Sequence, residues 1–246
     1  MPKGPPLRLH VLPHRELTSD LARERGILPC RTSTLTAIES VTATSARLRV
    51  VEVGAGLGGC SFVAVRHFEI GRGTSAIDGE VLAVEPKSKE ALLLAQSVQE
   101  NDLSFAIRIA KDITDVHRYV DGIIDLLIIT EAAGREIDVL QALGKIFNEF
   151  GVGFVTLMLP GPGSPWKNAC DPLLVYEWLV WHGFVVAPAE NPTVPFLNVG
   201  DVHGAISANP QSAGIPIIAV QRTAGLMPAL HIPTGPSSGM INTDAD

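Results

Sequence analysis

The apolar positions of this chain fall into short, nearly continuous runs separated by helical patterns, the mark of buried parallel strands alternating with helices. Val50, Val51 and Val53 predict a first strand, and Gly54, Gly56, Gly58 and Gly59 a tight turn leading into a helix that begins near Leu57 and runs on through Ser61 to Phe68. Glu80 to Glu85 predicts a second strand, Ser88 to Gln99 a helix, Phe105 to Ala110 a third strand and Ile123 to Thr130 a fourth, the most apolar and therefore central. Arg135 to Phe150 predicts one strong helix, stopped by Gly151 before the fifth strand, VGFVTLML. Pro172 to His182 predicts a helix with Leu174, Trp178 and Trp181 on its apolar face; Phe184 to Val186 begins a sixth strand, and Ile215 to Gln221 is the last. The fold class this predicts is α/β, a Rossmann-like sheet of seven strands, mostly parallel with an antiparallel final strand and helices on both faces.

Outside this core the periodicity fades. Residues 1–45 read as an N-terminal lead-in and candidate cofactor-covering segment, with a short helix around TSTLTAIESV capped by Ser33 or Thr34; residues 46–222 form the α/β domain, and residues 223–246 a tail. Residues 191–213 carry prolines, glycines and polar residues without strong periodicity, and are expected to lie over the same sheet edge as the glycine turn.

Composition narrows the chemistry. The 246 residues are 46% hydrophobic, enough for a substantial core, and carry a formal net charge of -7, which gives no general attraction for nucleic acid or anionic lipid. Neither a signal-peptide run nor a membrane-crossing stretch is evident, so a cytoplasmic protein without a membrane span is expected. Cys30, Cys60 and Cys170 have neither metal-ligand spacing nor a disulfide framework; they are expected as reduced thiols, and no metal site is expected.

The candidate chemistry gathers where strands end. The ligand crevice of an open parallel sheet lies at the carboxyl ends of its strands, and here those ends carry the glycine turn, Glu85, Asp112 and Glu131. Glycines let the backbone approach a ligand closely. Glu85, 31 positions after Gly54, suits two ribose hydroxyls. Asp112 either accepts from an adenine amino group or caps the segment starting at Ile113. Trp166, after the PGPGSP loop, either stacks on a substrate ring or packs under the next helix. Asp201 and His203 are candidate acid–base residues, or ordinary loop polarity.

Two site patterns overlap on the turn. Gly54, Gly56 and Gly59 satisfy the G-x-G-x-x-G spacing of a dinucleotide site. Glu52, Gly54, Gly56 and Gly58 satisfy E/D-x-G-x-G-x-G, which resembles motif I of the S-adenosylmethionine-dependent methyltransferases. Glu52 decides between them, because an acid repels a pyrophosphate but suits a cationic amino or sulfonium group, and a buried carboxylate needs a partner.

The stretch from Arg49 to Leu143 further resembles the FkbM-type subgroup of those methyltransferases. The turn of Glu52, Gly54, Gly58 and Ser61, the AVEP second motif, Asn101 and Leu103 before strand three, and the run from Ile129 to Leu140 follow its order. Ile129 and Ala133 replace the lysine and second acid of the fourth-strand signature K-I-D-x-E-G-x-E-x-x-V-L, Glu131 replaces its aspartate, and Gly134 is retained. The resemblance implies methyl transfer from S-adenosyl-L-methionine to oxygen of a small or sugar-like hydroxylated acceptor. The cofactor would be held by Glu52, Gly54, Ala55, Gly56, Gly58, Ser61, Glu85, Pro86 and Asp112, with Glu131 orienting the acceptor or taking its proton. The expected partners are that small-molecule acceptor and a second copy of the chain. The rival readings are an NAD-type dinucleotide-dependent oxidoreductase and an S-adenosylmethionine-binding or assembly protein without turnover.

Overall fold

The structure is a computed structural model, and it describes residues 30–44, 48–72, 79–130, 132, 134–165 and 168–222. Its centre is one seven-stranded sheet: β1 (Leu48–Val53), β2 (Gly79–Val84), β3 (Ile107–Ala110), β4 (Ile124–Ile129), β5 (Val152–Pro160), β6 (Phe184–Pro188) and β7 (Gly214–Gln221). The order across the sheet is β3-β2-β1-β4-β5-β7-β6. Neighbours from β3 through β5 are parallel, and β7 runs antiparallel to both β5 and β6. The expected fold class is therefore observed.

Strand alternation divides the core between the two faces. Val50, Val81, Leu126 and Ile128 pack with α1 (Thr32–Thr44), α2 (Gly59–Arg72) and α3 (Ser88–Glu100). Val51, Val53, Leu82, Leu127 and Val155 pack against α4 (Val116–Tyr119), α5 (Glu136–Ala142), α6 (Gly144–Glu149), α7 (Pro172–Trp181) and α8 (Val199–Ser207). Helix α1 inserts Ala37, Ile38 and Val41 into the first cluster, so the chain before β1 belongs in part to the packed core.

Several expectations needed correction. The helix expected over 135–150 is two helices, with Leu143 and Gly144 at their junction; a glycine there weakens helical continuity. On α7 the inward stripe is Val175, Tyr176 and Leu179, while Leu174 is exposed and Trp181 is 87% exposed. Trp178 stacks on His182 with ring centroids 3.6 Å apart and meets Phe147 edge-on. The aperiodic segment at 191–213 contains α8, whose Asn198 side chain accepts from the Asp201 N–H at its amino end. The thiol expectation fails for two cysteines: Cys30 and Cys60 form a disulfide, which joins the chain ahead of α1 to the first turn of α2. Sequence spacing carries no information about that pairing, because it depends on where α1 docks. Cys170 is free and buried.

The two ends of the sheet differ in kind. At the amino-terminal ends Arg49 closes the edge, its Nε 2.6 Å from Glu80 and a terminal nitrogen 2.6 Å from Asp121. At the carboxyl-terminal ends the chain order reverses between β1 and β4, the crevice position of an open α/β sheet. No helix among the described residues is long and apolar enough to cross a membrane.

Candidate functional site

Beyond Val53 the chain leaves β1 through the glycine turn, and its first amides anchor it to β2. The N–H groups of Gly54 and Ala55 both donate to the Val84 carbonyl, at 2.9 and 3.2 Å. Two glycines then do different jobs. Gly58 has φ +83°, and a Cβ there would collide with the Leu94 side chain, so its bareness lets α2 start hard against α3. Gly56, at φ +55°, would meet nothing within 4 Å; the backbone there faces open space.

Glu85 lies beneath this turn and is 1% exposed. One carboxylate oxygen accepts from the Gly56 N–H at 2.6 Å and the other from the Lys87 N–H at 2.8 Å. Burial raises its pKa, and the two backbone N–H groups oppose that rise. Each oxygen keeps a lone pair for a further donor.

Glu52 found its partners within the protein. It is fully buried; one oxygen accepts from the Ser61 N–H at 2.8 Å and the Ser61 hydroxyl at 2.5 Å, the other from the Thr130 hydroxyl at 2.9 Å. Burial raises its pKa to about 7, against the pull of those three bonds. These bonds tie the start of α2 to the end of β4. Ser61, which donates twice to the same oxygen, is also buried.

A cavity of about 400 Å³ opens beside the turn, lined among others by Val53, Gly54, Pro86, Lys111, Asp112 and Ala132. Its size is that of a small-ligand pocket. Asp112 sits on its wall and also accepts from the Thr114 N–H and hydroxyl, both at 2.8 Å, which lower its pKa. It thus caps the following 3-10 turn (Ile113–Asp115), with both bonds made to one carboxylate oxygen. The donor set fits a nucleoside-bearing cofactor: an open glycine backbone, a buried carboxylate with spare lone pairs under it, and apolar Val53 and Ile113 as walls.

Solved structures share this fold. The fold is that of the Rossmann-like methyltransferases. An rRNA methylase from Clostridium thermocellum matches with TM-score 0.52 and 14% identity, over 80% of this chain and 100% of that one. A precorrin-6y C5,15-methyltransferase from Geobacter metallireducens GS-15 matches with TM-score 0.50 and 12% identity, over 80% and 91%. A geranyl diphosphate methyltransferase solved in complex with S-adenosylmethionine matches with TM-score 0.50 and 12% identity, over 77% and 84%. No protein-family model and no curated protein sequence matches the chain.

The expected residues do not all converge. Gly54, Ala55, Gly56, Gly58, Glu85, Pro86 and Asp112 belong to one edge, with Glu52 and Ser61 just behind it. Asp201 and His203 lie on exposed positions of α8, which packs on α7 and β7 on the far side of β5. The Asp201 carboxylate accepts from the Leu197 N–H at 2.7 Å, and the His203 ring lies 3.2 Å from the Ser207 hydroxyl. Neither lines the 400 Å³ cavity. Glu131 and Trp166 lie outside the described residues.

One residue of the edge was passed over in the sequence. Glu136, inside the fourth-strand signature but given no role there, is 8% exposed and lines a second cavity of about 200 Å³ between the ends of β4 and β5. Its match to the last acid of that signature is the signal the sequence carries.

Proposed function

We propose that the chain binds S-adenosylmethionine at the carboxyl ends of β1 to β3 and methylates an oxygen of a small, hydroxylated acceptor. The observation that carries this reading is Glu85, held under the glycine turn with lone pairs left for the two hydroxyls of a ribose, beside a cavity of about 400 Å³. The backbone of Gly54 to Gly56 approaches the ligand, and Asp112 and Ile113 flank the base. Pro86 covers it from the rim. Bound there, the sulfonium supplies an activated methyl group.

Glu52 favours the methyl donor over a dinucleotide by a route other than direct contact. A dinucleotide site directs the free N–H groups of a helix start at a pyrophosphate. Here the Ser61 N–H is already taken by Glu52 and the Phe62 N–H by the Gly58 carbonyl, so neither is free for a pyrophosphate. Glu131, next after Thr130 in the sequence, is assigned to orient the acceptor or take its proton. The FkbM-type subgroup assignment belongs to this proposal and rests on the motif order alone.

Isothermal titration with S-adenosylmethionine, S-adenosylhomocysteine and NAD+ tests it. Micromolar binding of the first two is expected. Binding of NAD+ in their place would support the oxidoreductase, and cofactor binding without turnover over a panel of hydroxylated acceptors would leave a binding protein.

A further inference from the structure

The 200 Å³ cavity is walled by Arg31 from the chain before α1, Thr130 and Ala132 after β4, Glu136, and Met158 and Pro160 at the end of β5. It adjoins the larger cavity, since Ala132 lines both. Two features set it apart from a packing gap. Glu136 Oε1 accepts from the Gly134 N–H at 3.3 Å, but Oε2 is buried with no hydrogen-bond partner. A buried carboxylate oxygen without a donor is costly, and a native fold keeps one where something else supplies the donor. Opposite charge faces it: Arg31 senses the Glu136 carboxylate, yet makes no hydrogen bond to Oε2, so the two act on each other across space. The Cys170 thiol lies against Glu136 and hydrogen-bonds its side chain; burial first, and then the neighbouring carboxylate, push the thiol pKa up to about 11, so it is a weak, neutral donor and brings no charge to that side. The Cys30–Cys60 bond anchors the chain at the residue immediately before Arg31.

We propose that this cavity is the acceptor site and that it takes a small polyhydroxy acid, with one hydroxyl donating to Glu136 Oε2 and the carboxylate bound by Arg31. An acid with a donor a few ångströms from its charge bridges the two side chains and satisfies both. A neutral polyol satisfies only Glu136, and a simple carboxylate only Arg31. The remaining hydroxyls of such a molecule extend past Ala132 toward the larger cavity, where the methyl donor is placed. The acceptor role rests on the methyl-transfer reading above; the polyhydroxy-acid site itself does not.

Titration of the full chain with glucuronate and glycerate, against glucose and glycerol as uncharged counterparts, tests the site without turnover. Each acid is expected to bind at least tenfold more tightly than its neutral counterpart. Arg31→Gln should erase that preference, and Glu136→Gln should weaken glucuronate about tenfold while the circular dichroism melt stays cooperative. If Glu136→Gln does not fold, the acid-to-polyol ratio and its loss in Arg31→Gln decide the matter. Equal binding of acid and polyol, no binding of either acid, or an unchanged preference in Arg31→Gln overturns the proposal. S-adenosylhomocysteine titrated into the same sample separates the two readings. If it binds while the acids show no preference, the acceptor site falls and the cofactor reading stands; if the acids bind and it does not, the methyl-transfer reading falls and the acid site stands.

Discussion

Glu52 and Glu136 are both buried acids at the end of β1 or just past β4, yet their surroundings are opposite. Around Glu52 three protein donors close on the carboxylate; Glu136, on the wall of a cavity, has one buried oxygen with no hydrogen-bond partner. The difference separates architecture from demand. A buried acid whose oxygens are filled by its own chain holds elements together, whereas one left short marks where a molecule from outside completes the structure.

The comparison breaks most visibly at Glu52. Glu52→Ala would strand the Ser61 N–H, the Ser61 hydroxyl and the Thr130 hydroxyl in the interior, an expected loss of about 3–5 kcal/mol in urea unfolding. Glu52→Gln should cost less. The acid also leaves a signature in pH. Its pKa is raised from 4.5 to about 7 in the folded chain, so between those values the folded state holds more protons than the unfolded. The stability tied to this proton is complete below pH 4.5 and lost as pH rises through about 7, roughly 3 kcal/mol in all. Unfolding curves across that window should lose this slope in Glu52→Gln, and an unchanged slope would remove Glu52 as its source.

A smaller effect is expected at Glu85, the acid between the two extremes, engaged by two amides but with capacity to spare. Glu85→Ala should weaken S-adenosylmethionine at least thirtyfold by calorimetry, about 2 kcal/mol for charged hydrogen bonds to two hydroxyls. The glycines refine the contrast further. Gly58→Ala meets Leu94 as well as an unfavourable φ and should cost about 2 kcal/mol, whereas Gly56→Ala bears only the backbone term of about 1 kcal/mol. Chemical denaturation measures both. At the far end, His203→Ala on exposed α8 should leave cofactor affinity unchanged within about twofold, since a surface change away from the site has little to act on. A larger loss would bring α8 back into the site.

How much of this was legible beforehand follows the range over which each feature is decided. Strand runs, the glycine turn and the acids at strand ends are local, so the parallel sheet, Glu85 and Asp112 could be read from spacing alone. The partners of Glu52 could not, because Thr130 comes to it from 78 positions away. Nor could the inward stripe of α7: a helix apolar nearly all round has no preferred face until α5, α6 and α8 dock on it. Glu136 was hidden for a related reason. Its significance is a missing donor, and a deficit of that kind exists only once Arg31, Gly134 and the end of β5 are in place.

The Cys30–Cys60 bond closes residues 30–60 into a covalent ring that contains α1, β1 and the glycine turn. A protease cutting once inside that ring would yield two fragments that migrate as one band until thiol is added. Reduction would release about 3–4 kcal/mol of loop-closure stabilisation in the chain-entropy account. The position of Arg31 over its cavity is therefore chemically addressable: a reducing buffer and an oxidising one should present two different proteins to the same acid.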